Sequence, residues 1–295
     1  MVIKRRLVTL LIGAMIIVSL VLAGLLQPPG ADISSGTVAI VPVEGTIAGG
    51  NSGRSLFGGL LADSGAVVKQ LQTAAQDADI KAVVLRINSP GGTAAAAQEM
   101  AAGIAYLQKA GKVVAASLGD VAASGGYWVA SACDRIVANP ATITGSIGVL
   151  MEVSELTELY EQLGIKFETI KSGPHKDMGS PTRPLTDQER RILQGMVDDI
   201  YLQFLEAVAA GRALPLAQVQ DLADGRTFTG RQAHQLGLVD DLGTFTDAIE
   251  TAASLAGLAD GYQVRELGRR PWWDALLAGM PAVDLLLPTE SWRMR

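Results

Sequence analysis

Short apolar runs alternate with longer helical stretches along the first half of the chain. The runs of strand type cover residues 37–43, 82–87, 113–117 and 135–138. Helical spacing of apolar positions covers residues 62–78 and 93–110, and Gly111 closes the second stretch. Strands that alternate with helices of this length are typical of βαβ units in a largely parallel sheet. The pattern therefore predicts an α/β fold.

The second half of the chain is richer in helical pattern. Thr186 and Glu189 have the spacing of a capping box, which predicts that a long helix begins there and runs to about residue 210. Short apolar runs elsewhere predict two further helices, over residues 155–163 and 229–236, and two short strands, over residues 167–170 and 238–240.

The N-terminal region has the pattern of a membrane span. Residues 7–26 carry no charge and are long enough to cross a hydrocarbon core of about 30 Å. Three positive residues at positions 4–6 predict a cytoplasmic N-terminus and an extracytoplasmic bulk of the chain. A cleaved signal peptide is the alternative, but its apolar region is usually only about 7 to 15 residues long. We therefore expect a single-pass protein of the cell membrane, with a tail at 1–6, an uncleaved signal anchor at 7–26 and a linker at 27–36.

The C-terminal region differs in character from the part before it. Two tryptophans precede residues 275–287, which are mostly apolar but are interrupted by Pro281 and Asp284. This stretch is too short to span a bilayer. It either lies in the membrane interface or packs against a neighbouring subunit, and the sequence leaves both open. We assign residues 37–250 to the main domain and 251–295 to an oligomer- or membrane-interface extension.

Composition and charge exclude several classes of protein. Hydrophobic residues make up 48% of the chain and glycine occurs 33 times, which suits close helix packing and excludes a disordered protein. The net charge of −6 becomes −9 once the three positive residues at 4–6 are set aside, so we expect no nucleic-acid partner. The single cysteine, Cys133, cannot form an intramolecular disulfide, and we expect it to be buried. It has no neighbouring His or Cys with metal-ligand spacing, so we expect no metal.

Ser124 is the strongest candidate for a reacting group. It lies in a run of small residues, 122–127 (AASGGY), that leaves room for a substrate carbonyl beside the hydroxyl. A serine hydroxyl needs an adjacent base, and His175 and Lys176 occur together in one later loop. An unperturbed histidine, with a pKa near ~6.5, suits this role, whereas a lysine must be buried to supply a neutral amine. Residue type alone leaves the choice of base open, and His234 is expected on a helix surface.

Five runs in a fixed order carry a family resemblance. They are residues 88–92 (NSPGG), 120–127 (DVAASGGY), 144–148 (TGSIG), 170–178 (IKSGPHKDM) and 224–240 (DGRTFTGRQAHQLGLVD). Each run alone is also an ordinary turn or surface sequence. Together they make residues 37–245 resemble the signal peptide peptidase A family, whose members are Ser/Lys proteases. The resemblance implies a Clp protease/crotonase-like α/β core, here preceded by one N-terminal transmembrane helix.

The resemblance also assigns roles to individual residues. It implies that Ser124 is the nucleophile and Lys176 the base. The backbone N–H groups of Gly92 and Gly125 are then expected to form the oxyanion hole, because glycine allows the backbone to approach the substrate closely. Ser146 is expected to hydrogen-bond the lysine amine and orient it. No metal or organic cofactor is implied.

The resemblance implies a membrane-anchored serine endopeptidase that works through an acyl-enzyme. Its expected substrates are remnant signal peptides and other membrane-associated or secreted polypeptides. A chain with one such domain resembles the short family members, which assemble into ring- or dome-shaped oligomers with composite sites. The resemblance therefore implies a homo-oligomer of up to eight copies. Two alternatives are a crotonase-type acyl-CoA enzyme and a catalytically silent membrane scaffold of the same fold.

Overall fold

A mostly parallel sheet organises residues 36–50, 60–258 and 260–268, which are the residues that this computed structural model describes. The strands of the main sheet are β1 (Thr37–Glu44), β4 (Ile80–Ser89), β5 (Val113–Ala123), β6 (Arg135–Ala138), β7 (Ile143–Gly145), β8 (Thr227–Thr229), β9 (Asp241–Leu242) and β10 (Gln263–Glu266). The strands β2 (Thr46–Ala48) and β3 (Leu61–Asp63) form a separate pair. The main sheet has the order β10-β1-β4-β5-β6-β9, and β7 joins it by pairing with β5. The pair β7–β8 is antiparallel, and the other pairs are parallel.

Helices connect these strands and cover the main sheet. They are α1 (Ser64–Gln76), α2 (Ala94–Lys109), α3 (Gly125–Ser131), α4 (Thr157–Gln162), α5 (Asp187–Arg212), α6 (Leu216–Leu222), α7 (Gly230–Gln235) and α8 (Phe245–Leu255). The order of strands and helices along the chain confirms the predicted α/β class and its parallel sheet. The early strands and helices begin and end within two residues of the predicted positions, except that β5 continues six residues past the predicted end, to Ala123.

The main sheet is buried on both faces, as its run of apolar residues requires. Along β4, Val83, Leu85 and Ile87 belong to one apolar cluster with residues of α1, α2, α3 and α5. Their neighbours Ala82 and Val84 belong to a second cluster, which α8 covers. Because side chains alternate across a strand, the sheet separates two cores and the fold has three layers.

Two short predicted strands are wrong. Residues 167–170 form no strand in the described chain, because nothing pairs with them, and Ile170 is 94% exposed. Residues 238–240 precede the strand β9 rather than form it. The N–H groups of Leu238 and Val239 both donate to the carbonyl of Ala233, so these residues close the turn after α7. The Asp240 N–H donates to the carbonyl of Ile136 in β6, and the paired residues of β9 follow at Asp241 and Leu242.

Strand β10 pairs with β1, so the sheet continues past residue 250, where we placed the domain boundary. The predicted tail, the anchor at 7–26, nearly all of the linker and residues 269–295 lie outside the described residues. Among the residues that are described, no helix combines the length and apolar character that crossing a bilayer requires.

Candidate active site

Ser124 occupies a sharp turn between β5 and α3. Its φ of 52° and ψ of −123° are rare for a residue with a side chain. Hydrogen bonds hold the turn on both sides: the Ser124 N–H donates to the carbonyl of Gly145 at 2.8 Å, and the Trp128 N–H donates to the Ser124 carbonyl at 2.9 Å. A strained strand–turn–helix of this kind exposes a serine hydroxyl at the end of a sheet.

Strand β7 brings Ser146 beside this turn. The parallel register pairs Ala123 with Gly145, so the next residues along the two strands are Ser124 and Ser146. The Thr144 hydroxyl fixes this register by donating to the carbonyl of Ala122 at 2.7 Å. Ser146 also has a positive φ, 51°, which directs the chain away from the sheet. The two serines therefore leave the sheet at neighbouring points of one edge.

Gly92 and Gly125 place backbone N–H groups beside Ser124. Ile47 donates to the carbonyl of Gly91 and accepts from the N–H of Thr93, so the N–H of Gly92 points away from β2. A Cβ on Gly92 would lie 1.9 Å from the Ile47 carbonyl oxygen, and a Cβ on Gly125 would lie 3.2 Å from the Gly92 nitrogen. Gly125 begins α3, where N–H groups have no partner within the helix. Only a glycine at position 92 permits this close approach to the backbone of Ile47.

A cavity of about 800 Å³ contains these groups. Ser124, Ser146, Gly92 and Gly125 all line it. The part of its lining that comes from α3 and α5, which we call its wall, is largely apolar and aromatic and consists of Trp128, Val197, Ile200, Tyr201 and Phe204, with Asp198 beside them. The rings of Trp128 and Phe204 stack with centroids 4.6 Å apart, which stiffens this wall. The cavity can hold an extended, mainly apolar ligand against the Ser124 hydroxyl.

Lys176 does not line this cavity in the single chain. It lies in the turns of residues 172–179 with its side chain exposed, and its N–H donates to the carbonyl of Gly173 at 3.3 Å. The neighbouring His175 has a buried Nδ1 without a hydrogen-bond partner among the described residues, 3.9 Å from the carboxylate of Glu189. His234 is exposed on α7, as expected. Of the five predicted site residues, Ser124, Ser146, Gly92 and Gly125 thus lie at one cavity, and Lys176 lies outside it.

An ion-pair network surrounds the loop that carries Lys176. Arg183 binds both Asp177 and Glu189, at 2.7 Å and 2.6 Å. Hydrogen bonds from Arg183, and then from Lys171, hold the pKa of Asp177 well below its usual range. Hydrogen bonds from Arg183, and then from the Thr186 backbone, lower the pKa of Glu189 to about 2. Sequence analysis found Glu189 only as a capping residue and missed Arg183, because their pairing depends on how the intervening loop folds.

The run 224–240 mainly supports the fold around the site. The Tyr127 hydroxyl, in the helix after Ser124, donates to the carbonyl of Leu238 at 2.7 Å, and Arg212 forms a 2.6 Å ion pair with Asp240. The start of the run also reaches the site, because Asp224 and Gly225 line the cavity. Cys133 is buried, and burial raises the pKa of its thiol, which agrees with a packing role.

A serine on a strand–turn–helix beside two backbone N–H groups is the arrangement that serine hydrolases use. Comparison with known proteins gives the class more closely. The model of peptidase family S49 matches residues 106–259, just over half of the 295-residue chain. A candidate protease of Synechocystis sp. is 49% identical over 193 residues, which cover 65% of this chain and 69% of that protein.

Two further relatives are longer proteins. Protease 4 of Salmonella typhi is 35% identical over 225 residues, 76% of this chain but only 35% of that protein. The chloroplastic serine protease SPPA of Arabidopsis thaliana is 37% identical over 193 residues, 65% of this chain and 28% of that protein. These matches define a serine peptidase. The chain belongs to peptidase family S49, the signal peptide peptidase A family, which confirms the resemblance drawn from its five sequence runs.

Proposed function

We propose that this chain is a membrane-anchored serine endopeptidase in which Ser124 is the nucleophile and Lys176 the base. The observation that carries the proposal is the strained turn of Ser124 inside a cavity that Gly92 and Gly125 also line. Strain is retained at a site where a fixed geometry is needed, and a hydroxyl held beside two backbone donors suits acyl transfer. Family membership supports the same class of reaction.

The proposed reaction has two stages. The Ser124 Oγ attacks the scissile carbonyl carbon while the Lys176 amine takes the hydroxyl proton. The N–H groups of Gly92 and Gly125 donate to the oxyanion that forms, an interaction for which loss of one donor costs about 10² to 10³ in rate. The lysine returns its proton to the leaving amine, which frees the first product. Water then hydrolyses the ester by the same route, and Ser146 orients the lysine. The reaction needs no cofactor.

Lys176 can act as the base only if another molecule shields its amine from water. A lysine amine is neutral near neutral pH only when it is withdrawn from water, and Lys176 is exposed in the single chain. Large apolar side chains of the same region are exposed too, among them Leu163 at 62% and Ile170 at 94%. A soluble surface seldom retains such a group of apolar side chains unless another molecule covers it. We propose that further copies of this chain cover residues 150–170 and bury Lys176, in a homo-oligomer of up to eight copies.

The cavity suggests the kind of peptide that is cleaved. Its wall of Val197, Ile200 and Phe204 favours apolar substrate side chains, since each one transferred from water gains about 1.5–3 kcal/mol. Remnant signal peptides and membrane-associated or secreted polypeptides supply such side chains. The segment at 7–26 would anchor the enzyme near them, on the extracytoplasmic side. Reporter fusions after residue 36 that are active only in the cytoplasm, or a mature N-terminus near residue 25, would contradict this placement.

A fluorophosphonate probe tests the proposal, because it labels a serine only when that serine is activated. We expect the full-length chain in detergent to be labelled on the peptide that contains Ser124, and Ser124→Ala to remove the label. Ser254→Ala, which replaces an exposed serine on α8, is the matched control and should be labelled as strongly as the original chain. An acyl-CoA enzyme or a silent scaffold would leave Ser124 unlabelled.

A further inference from the structure

Arg183 joins two carboxylates that come from different parts of the chain. Its Nε and Nη2 donate to the two oxygens of Asp177 at 2.9 Å and 2.7 Å. Its Nη1 and Nη2 donate to the two oxygens of Glu189 at 2.8 Å and 2.6 Å. Two bidentate pairs on one guanidinium define the position of both carboxylates, because its donors form a rigid planar fork. We call Asp177, Arg183 and Glu189 the Arg183 bridge.

One end of the Arg183 bridge is fixed to α5. The Glu189 side chain is only 2% exposed and accepts hydrogen bonds from the backbone N–H and the hydroxyl of Thr186, both at 3.0 Å. The Thr186 hydroxyl in turn accepts from the Glu189 N–H at 3.2 Å. This capping box holds the Glu189 carboxylate on the first turn of α5. Arg183 is therefore anchored to a helix rather than to another loop.

The other end of the Arg183 bridge fixes the chain beside Lys176. Asp177 is the next residue after Lys176, so a fixed Asp177 carboxylate restrains the backbone of Lys176. Lys171 donates to the Asp177 carboxylate at 2.7 Å and to the carbonyl of Pro174 at 3.1 Å, which closes the loop from its other side. The loop 171–178 contains no helix or strand. Turn hydrogen bonds such as that from the Lys176 N–H to the Gly173 carbonyl hold it locally, and the side chains of Lys171 and Asp177 tie it to Arg183.

The same helix forms the wall of the Ser124 cavity. Val197 and Phe204 line the cavity from the middle of α5, and Val197 lies eight residues beyond Glu189, about 12 Å along the helix axis. The position of the Lys176 loop is thus tied to the surface that faces the substrate. A base acts only from a narrow range of positions, and an error of about 1 Å can cost about 10² in rate.

We propose that Arg183 is a positioning residue for Lys176, which it holds through Asp177 in a fixed place relative to α5. The inference rests on the proposed role of Lys176 as the base. A purely structural role for Arg183 makes a different prediction, because it affects stability without affecting the chemical step selectively. Lysine at this position keeps the charge but lacks the fork, so Arg183→Lys separates the need for geometry from the need for charge.

The test compares Arg183→Lys and Arg183→Gln with Arg191→Gln, which changes an exposed arginine on α5. Peptide hydrolysis is measured with the full-length chain in detergent, as kcat, KM and their pH dependence, beside the melting temperature. We expect both Arg183 variants to lower kcat about 10- to 100-fold with KM nearly unchanged, at a temperature where they are folded. In the proposed oligomer, which buries Lys176, a displaced loop returns the amine to water, so activity should also rise only at higher pH. Arg191→Gln should match the original chain.

Asp177→Asn is the second variant, and it applies also if Arg183→Lys and Arg183→Gln fail to fold. It nearly keeps the size of the side chain, removes its charge and should reproduce the loss of kcat. Unchanged kcat and pH dependence in a folded Arg183 or Asp177 variant would overturn the inference, and so would losses confined to the melting temperature. Lys176→Ala is measured in parallel: if it remains active, the proposed base is wrong. If Lys176→Ala is inactive while Arg183→Lys is fully active, only the role of Arg183 is wrong.

Discussion

Backbone conformation at single residues decides what the cavity can do. Ser124 and Ser146 have φ values of 52° and 51°, a region that costs a residue with a side chain about 1–3 kcal/mol. The N–H groups of Ser124 and Ser146 donate to the carbonyls of Gly145 and Arg226, and these hydrogen bonds hold both turns in place. The strain is therefore maintained by the sheet and by the chain packed on it, and it places both hydroxyls at one cavity.

Gly92 provides a prediction about close packing at the site. Gly92→Ala adds a methyl group that would lie 1.9 Å from the Ile47 carbonyl oxygen, so β2 and the 88–92 run must move apart. We expect peptide hydrolysis to fall at least about 10²-fold, because one backbone donor leaves its position. Gly195→Ala is the control, since its Cβ meets nothing within 4 Å on a helix surface, and we expect full activity. Full activity of Gly92→Ala would contradict a role for this backbone.

The sequence predicted which residues lie near the cavity better than it predicted how buried each one is. The runs that contain Gly92, Ser124 and Ser146 each follow a strand, and a parallel sheet brings the ends of its strands to one edge. Lys176 is exposed in the single chain, and its proposed burial depends on contacts between copies, which no local sequence pattern encodes. The roles of all these residues remain predictions.

Helix α5 carries a capping box, binds Arg183 and lines the cavity at different points along its length. Its first turn carries the capping box, which the spacing of Thr186 and Glu189 predicted and the structure confirms. The same turn holds Arg183, and the middle of the helix lines the cavity. Local sequence could predict the cap, since capping involves residues three apart. It could not predict the ion pairs, since these need the fold of a loop.

The lowered pKa of Glu189 predicts how stability depends on pH. Its folded pKa of about 2 lies below the ordinary value of 4.5, so the folded state binds fewer protons than the unfolded chain between these values. The stabilisation is complete above about pH 5 and is lost as the pH falls towards 2. Glu189→Gln should lower the melting temperature at neutral pH and show less further loss on acidification. Glu206→Gln, on the same helix, should change the neutral value little, and equal acid sensitivity of Glu189→Gln and the original chain would contradict this account.

The two wrong strand predictions have one physical cause. An apolar run of four residues indicates burial but does not say what buries it. Leu238 and Val239 are buried in a turn that supports α3, whereas residues 167–170 are exposed. A strand forms only where another strand offers hydrogen bonds, and that condition is invisible in a short segment.

At the scale of the whole molecule, residues 150–170 predict self-association. Leu163→Glu combined with Ile170→Glu places two charges on this exposed apolar segment, at positions 62% and 94% exposed. We expect light scattering of the full-length chain in detergent to show several copies, and the double variant to be smaller and inactive. Leu255→Glu, at a 52% exposed position on α8, should keep both size and activity. A monomeric original chain that is fully active would refute the proposed assembly.

The most direct test of the account compares the two candidate bases, which are neighbours in one loop. Rates of peptide hydrolysis are measured for Lys176→Ala, Lys176→Arg and His175→Ala, with each variant shown to be folded. We expect both Lys176 variants to lose at least about 10²- to 10⁴-fold, since a guanidinium cannot take the serine proton, and His175→Ala to keep substantial activity. Near-full activity of Lys176→Ala, with loss of activity in His175→Ala, would contradict the Ser124–Lys176 pair and indicate a histidine base.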